Sequence, residues 1–274
     1  MKTEYITAKT ILNKSKLHGL DYTINPYIGC GFACKYCYAS YLSNLVKEEN
    51  SEWGNFVYIK KNTIELLDKS LKKFEHCLQT PSIMVSSATD PYQYIESKEK
   101  ITRGIFEKFV EYDFKGQILC LTKSPLILRD MDLFKQLKNL TLNFSISNDN
   151  KKIKDYFEPN APSIRSRFKA LEILNKNNLN TCVFIAPILP YYENHIDELE
   201  SLIKSIKNAG TTNIVYDLLN MHGNMNRYRE CFKNSRKGRE LYVEHSENSE
   251  YREKMKNIMK NLIQKYNLTT NYER

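Results

Sequence analysis

Apolar residues recur along this chain with two different periods. Ile64, Leu67, Leu71, Phe74 and Leu78 step by three and four positions, as do Ile196, Leu199, Ile203 and Ile206, the spacing that lines one face of a helix. A third stripe, Ile164, Phe168, Leu171 and Leu174, follows the loop EPNAPS, whose Ser163 is placed to cap it. Met255, Ile258, Met259, Leu262 and Tyr266 predict a closing helix. Between the stripes lie short apolar runs that read as strands buried on both faces: SIMVSS (82–87), QILCLT (117–122), LTLNFSIS (140–147), TCVFIAPI (181–188) and TNIVYDLL (212–219). An earlier run, around YTINPYIG, leads straight into a group of cysteines.

Strand and helix alternate about six times, which predicts parallel strands joined by crossover helices. Six units are fewer than the eight of a closed barrel, so the expected fold is α/β, an open partial (β/α)6 barrel of the TIM type. With no internal repeat or low-complexity linker to divide the chain, the barrel core is expected over 1–219. A helical, basic C-terminal extension is expected over 220–274, packed on that core. Polar groups gather where the strands end: SSATDPYQ after one, TKS after another, SISND after a third, with prolines interrupting the fifth. Chemistry in such barrels sits at those C-terminal ends.

Composition narrows the picture. At 274 residues, with 41% hydrophobic side chains and few Gly and Pro, collagen, coiled coil and wholesale disorder are excluded. No apolar run approaches eighteen residues, so no membrane span is expected. The stretch MKTEYITAKTILNKSK lacks the apolar core of a secretory signal, and the expected location is the cytoplasm. The net charge of +9 would attract phosphate, though it equally suits a Lys-rich solvated surface. The segment RYRECFKNSRKGR (227–239) holds six basic residues and one acid. Seven cysteines, an odd number, suit a reducing compartment, and Cys77, Cys120 and Cys182 are expected to be simply buried.

Cys30, Cys34 and Cys37 differ in kind. In NPYIGCGFACKYCYASYL they are separated by three and then two residues. Three thiolates on a tight loop can hold three irons of a cubane cluster and leave the fourth without a protein ligand, open to substrate or cosubstrate. Gly29, Gly31 and Ala33 keep the loop small. Zinc is the competing reading, but it normally brings a fourth Cys or His nearby; no His lies between His18 and His76, and the next Cys is Cys77. A ferredoxin-type centre would likewise need a fourth Cys.

This triplet resembles the signature of radical S-adenosylmethionine (radical SAM) enzymes. CGFACKYCYASYL, VYIKKN, SATDPYQYIE, ITRGIFE, LTKSPLILRDMDLF, SISND, FEPNAPSIRSRFKALEIL and APILP resemble, in that order, the spore photoproduct lyase-related branch over roughly residues 20 to 215. The resemblance implies that Cys30, Cys34 and Cys37 ligate a four-iron, four-sulfur (4Fe-4S) cluster. Its open iron would chelate S-adenosyl-L-methionine, whose one-electron cleavage yields a 5′-deoxyadenosyl radical that takes a hydrogen atom from the substrate. It further implies that Ser87, Thr89 and Asp90 meet the methionine end of the cosubstrate. Lys123, Ser145, Ser147 and Arg167 would meet its carboxylate or ribose, Tyr36 would lie near the adenine, and Pro187 and Ile188 would form an apolar wall. Arg167 equally suits a surface position on its helix, and Asp90 before Pro91 an ordinary turn.

The chain also departs from that branch. Spore photoproduct lyase carries a hydrogen-donating cysteine just before the Ser–Asp of its second strand end, and MVSSATDPYQ has none. Tyr38 remains a candidate radical relay. Tyr191 stands where relatives tend to have Gly, suggesting a changed pocket or lid, and His222 is a candidate substrate contact. Neither a second cysteine-rich cluster nor a peptide-binding winged helix is recognisable. The expected partners are therefore a peptide or nucleic-acid substrate, with a slight preference for peptide, and a reductant such as flavodoxin or ferredoxin. A separate recognition protein would fit the compact core, and no membrane is expected. A non-catalytic iron–sulfur or zinc protein is the outside alternative.

Overall fold

The computed structural model describes residues 1–17, 19–74, 80–220 and 225–270, apart from the side chain of Asn226. Cys77, Leu78 and His222 lie outside the described residues. Ten strands form two sheets: β1 (Lys2–Ile6), β2 (Leu12–Lys14), β3 (Tyr22–Ile24), β4 (Tyr27–Ile28), β5 (Phe56–Lys60), β6 (Ile83–Val85), β7 (Ile118–Thr122), β8 (Leu140–Ser145), β9 (Thr181–Ile188) and β10 (Asn213–Leu218). The larger sheet runs β10-β9-β8-β7-β6-β3-β2. From β3 to β10 every pairing is parallel and follows chain order, with Val85 beside Cys120 and Cys120 beside Leu142. β2 closes one edge antiparallel to β3, and β10 stands at the other. The six parallel strands make the expected open, partial barrel.

Helices Thr63–Leu71, Ile101–Glu111, Ile164–Lys176 and Ile196–Asn208 supply four of the crossovers, and the short turns Pro125–Asp130 and Met131–Phe134 the one between β7 and β8. Their apolar stripes turn inward. Leu67, Leu71, Leu171, Leu174, Leu199 and Ile203 pack with Val85, Cys120, Leu142, Val183 and Ile214 in the main core. Each such side chain contributes roughly 1.5–3 kcal/mol by leaving water. Ser163 caps its helix by accepting from the Ser166 N–H at 3.2 Å. The closing helix, Ser249–Lys265, brings Met255, Met259 and Leu262 into the same core. Among the described residues, no helix is long and apolar enough to cross a membrane.

The periodicities missed the smaller sheet, β1-β5-β4. β1 is a largely exposed polar edge, and β5 is short and buried except at Lys60, so neither alternates clearly. The single strand expected around YTINPYIG is in fact two, β3 in the large sheet and β4 in the small one. Pro26, lacking an N–H, interrupts the ladder between them, and the Pro26 carbonyl accepts from Lys60 N–H at 3.1 Å. This break carries the cysteine loop out over the strand ends.

Candidate active site

The loop after β4 is pressed against its surroundings. Gly29 has φ +94°, and a Cβ there would lie 2.3 Å from the Phe56 carbonyl, so no other residue fits. Gly54, φ +110°, makes room for Ala33, itself left-handed at φ 56°. Gly31 is less constrained, since a Cβ there would meet only the end of Met1. Turn hydrogen bonds from Ala33 N–H to Cys30 O (3.2 Å) and Cys37 N–H to Cys34 O (3.1 Å) fold the three cysteines together. Gln93 holds the loop from the β6 side, accepting from Gly31 N–H at 2.9 Å and donating to Gly29 O at 3.2 Å. Thr89 Oγ1 also donates to Gly29 O, at 2.7 Å. Asn160 Nδ2 donates to Gly31 O at 3.1 Å, and Tyr228 OH to Tyr36 O at 2.9 Å.

Cys30, Cys34 and Cys37 are not disulfide-bonded and lie in a second apolar cluster that includes Phe32, Trp53, Phe56, Phe157, Leu189, Leu219 and Phe232. Burial raises all three: Cys30 well above the usual thiol range, also through Asp90 and its neighbouring cysteines, Cys34 to about 12, and Cys37 less far. Lys123 works against burial at Cys34 and Cys37, as does Arg227 at Cys37. Thiolates in such a place require a bound cation. Among the described residues, no three His, Cys, Asp or Glu side chains gather around one ion-sized point. A cubane, which takes one thiolate per iron, asks for no such convergence. The all-sulfur donor set, its aromatic lining and the glycine-dependent loop therefore fit a cluster.

The strand-end residues meet beside this loop. Asp90 accepts from Thr122 Oγ1 (2.6 Å), Tyr92 N–H (2.9 Å) and Lys123 N–H (2.8 Å), bracing the ends of β6 and β7; burial raises its pKa. Lys123 Nζ donates to Ser145 Oγ at 2.6 Å and lies 3.8 Å from Glu158. Glu158, fully buried, accepts from Tyr36 OH, from Arg167 and, at 3.4 Å, from Ser147 Oγ. Burial would raise the Glu158 carboxyl, but Arg167, Lys123 and the Tyr36 hydroxyl outweigh it and hold it at about 2.

Arg167 is not on the surface. It is fully buried, and its donors go to Glu158, the Ser145 carbonyl (3.2 Å) and the Pro162 carbonyl (3.0 and 2.8 Å). Ser87 is fastened to Asn25, whose Oδ1 accepts from Ser87 N–H at 3.1 Å, while the Ser87 carbonyl accepts from Tyr38 OH at 2.5 Å. Ile188 packs in the main core; its neighbour Leu189 joins the cysteine cluster, and Pro187 is half-buried. Tyr191 stacks on His195 at 3.9 Å and donates to Glu198 at 2.6 Å, tying it to the following helix. Both amide atoms of buried Asn148 and the hydroxyl of buried Ser86, also near strand ends, lack hydrogen-bond partners. Sequence reading passed over Glu158, Gln93 and Asn160 as site residues, although they stand inside the quoted segments FEPNAPS and SATDPYQ.

A family profile described as "Radical SAM superfamily" matches residues 24–222. An uncharacterized protein of Methanocaldococcus jannaschii is 38% identical over 186 residues, covering 68% of this chain and 67% of that one. An uncharacterized protein of Mycobacterium tuberculosis is 25% identical over 291 residues, 96% of this chain and 82% of its own. Among solved structures, spore photoproduct lyase complexed with dinucleoside spore photoproduct superposes with a TM-score of 0.73 at 15% identity, covering 98% of this chain and 82% of that one. A histidine-tagged anSMEcpe with bound AdoMet gives 0.52 at 13% identity, covering 85% and 57%. The chain belongs to the radical SAM superfamily. It is an enzyme of that class, whose cofactors are a 4Fe-4S cluster and S-adenosylmethionine.

Proposed function

We propose that Cys30, Cys34 and Cys37 hold the cluster at the mouth of the barrel, and that the residues around Asp90 and Lys123 seat S-adenosylmethionine beside it. When bound, the pair supplies a one-electron cleavage of the sulfonium and a 5′-deoxyadenosyl radical for hydrogen abstraction. The observation that carries this reading is the placement of three thiols, those of Cys30 and Cys34 buried and that of Cys37 half-buried, beside the strand-end polar groups. Asp90 keeps acceptor capacity for a ligand ammonium beyond its three bonds, and Thr89 and Ser87 flank it. Lys123 is the cation for a ligand carboxylate, with Ser145 and Ser147 as hydroxyl partners. Tyr36 and Pro187 line the nucleoside side, with Leu189 taking the place expected of Ile188. Arg167 acts through Glu158, which holds Tyr36 and Lys123 in position. Tyr38, half exposed and tied to Ser87, is the candidate relay.

For the substrate, a nucleic acid is the better-supported class. Spore photoproduct lyase resembles this chain over nearly its whole length. The turn Tyr38–Val46 exposes Tyr38 and Tyr41 next to the cysteines, rings on which a base can stack. Among the described residues, the exposed Arg229, Lys237 and Arg239 have no carboxylate partner. A peptide is the second reading. It is favoured by Ser87–Ala88–Thr89, which present no thiol to return a hydrogen atom as spore photoproduct lyase does.

The test is anaerobic. Protein is reconstituted with iron and sulfide, reduced with dithionite and given S-adenosylmethionine, and 5′-deoxyadenosine is quantified with no substrate, ultraviolet-irradiated DNA, RNA or peptide. Wild type is expected to form it, most strongly with a nucleic acid, and C30A, C34A and C37A are expected to form none. Production that survives loss of these cysteines would refute the assignment; stimulation by peptide alone would select the second reading.

A further inference from the structure

The basic segment 227–239 begins with a residue that does not face solvent as the segment's other basic residues do. Helix Met225–Cys231 lies on the cysteine loop, where Arg227 donates to the carbonyls of Cys34 and Asn50, both at 3.3 Å. Next to it, Tyr228 is fully buried and fixed to the Tyr36 carbonyl. The guanidinium is partly buried, yet among the described residues no carboxylate pairs with it. A cation withdrawn from water needs a compensating negative charge. The other two cations on the inner side of the loop are already engaged with Glu158: Arg167 pairs with it directly, and Lys123 lies 3.8 Å away. Lys35 points outward, its ammonium 3.4 Å from the centre of the Tyr156 ring.

A second buried N–H lies beside the loop. Trp53 is 3% exposed, and no oxygen accepts from its indole N–H. It lies beside Cys37, on the loop whose Cys34 carbonyl Arg227 holds. A cation without a carboxylate and a buried indole N–H thus both lie against the cysteine loop.

We infer that Arg227 is a positioning residue that raises the reduction potential of the cluster by placing a fixed positive charge against Cys37 and Cys34. The inference rests on the cluster being held as proposed above. Reduction adds one electron, from a low-potential one-electron donor, and transfers no atom. The added negative charge falls on a centre already carrying thiolates, and a nearby fixed cation in a poorly screened site lowers its cost. The basic extension thereby contributes to the chemistry from outside the barrel strands.

The midpoint potential of the reconstituted cluster, measured by electron paramagnetic resonance during redox titration without S-adenosylmethionine, tests this. R227Q is expected to make reduction about tenfold less favourable, a shift of about 59 mV for one electron. R227K, which keeps the charge, is expected to stay near wild type. Y228F, which loosens the same helix without removing charge, is expected to leave the potential unchanged. The inference is overturned if loaded R227Q titrates like wild type, or if R227K or Y228F shifts as far as R227Q. A folded R227Q that holds no iron while R227K does supports a requirement for charge; loss of iron in both counts against it. A wild-type protein that takes up no cluster instead removes the underlying reading of the three cysteines.

Discussion

Glu158 shows how much one buried side chain can organise. Its carboxylate collects Arg167, Tyr36 and Ser147 and faces Lys123, so a single acid aligns groups from four separate segments. Removing one member of a buried pair leaves the other uncompensated, which costs about 3–5 kcal/mol. E158Q is expected to lose about that much stability at neutral pH, as read by denaturant unfolding of the cluster-free protein. The sign of the pH dependence follows from the depressed carboxyl. The stabilisation is complete above its ordinary value of 4.5 and is lost as the pH falls through about 2. The gap between wild type and E158Q should therefore narrow across that window. A gap independent of pH would show that Glu158 is not ionised in the folded protein.

At the scale of elements, the cysteine loop has little regular structure of its own and is shaped by what touches it. β5 meets Gly29 from one side, Gln93 and Thr89 hold it from the β6 end, and Asn160 ties it to the segment after β8. Q93L would strand the buried Gly31 N–H and weaken the hold on Gly29, costing roughly 1–3 kcal/mol. The expected result is faster loss of iron to a chelator with an unchanged far-ultraviolet spectrum. If Q93L retained iron as well as wild type, the loop would be self-supporting.

The whole molecule couples its C-terminal segment to both cores. Met255, Met259 and Leu262 are buried against the barrel, while Arg227 and Tyr228 reach the cysteine loop. M259A is expected to cost about 2–5 kcal/mol. The loss should appear as one lowered melting transition, at the same temperature by tyrosine–tryptophan signal and by cluster absorbance. Two separated transitions would mean that the closing helix melts independently of the barrel.

The sequence by itself determined the strand–helix alternation, the count of parallel strands and the three cysteines, because each rests on local periodicity or fixed spacing. The runs 117–122 and 181–188 match β7 and β9 nearly residue for residue. Local pattern was silent where partners are distant in the chain. In the β1-β5-β4 sheet β1 pairs with β5 some fifty residues on, and this exposed first strand carries no apolar alternation. Arg167 and a surface arginine look alike in sequence; only the position of Glu158 makes it a buried counter-ion. The expected grouping of Lys123 with the strand-end serines matches the hydrogen bond from Lys123 to Ser145. Ile188 was misplaced relative to Leu189 because adjacent strand residues face opposite ways, and one step in register decides which reaches the cysteines. In sequence Arg227 is one of six basic residues in a stretch suited to a polyanion. Tertiary structure alone sets that charge against the cysteine loop, since charge in sequence has a sign but no neighbour until the chain is folded.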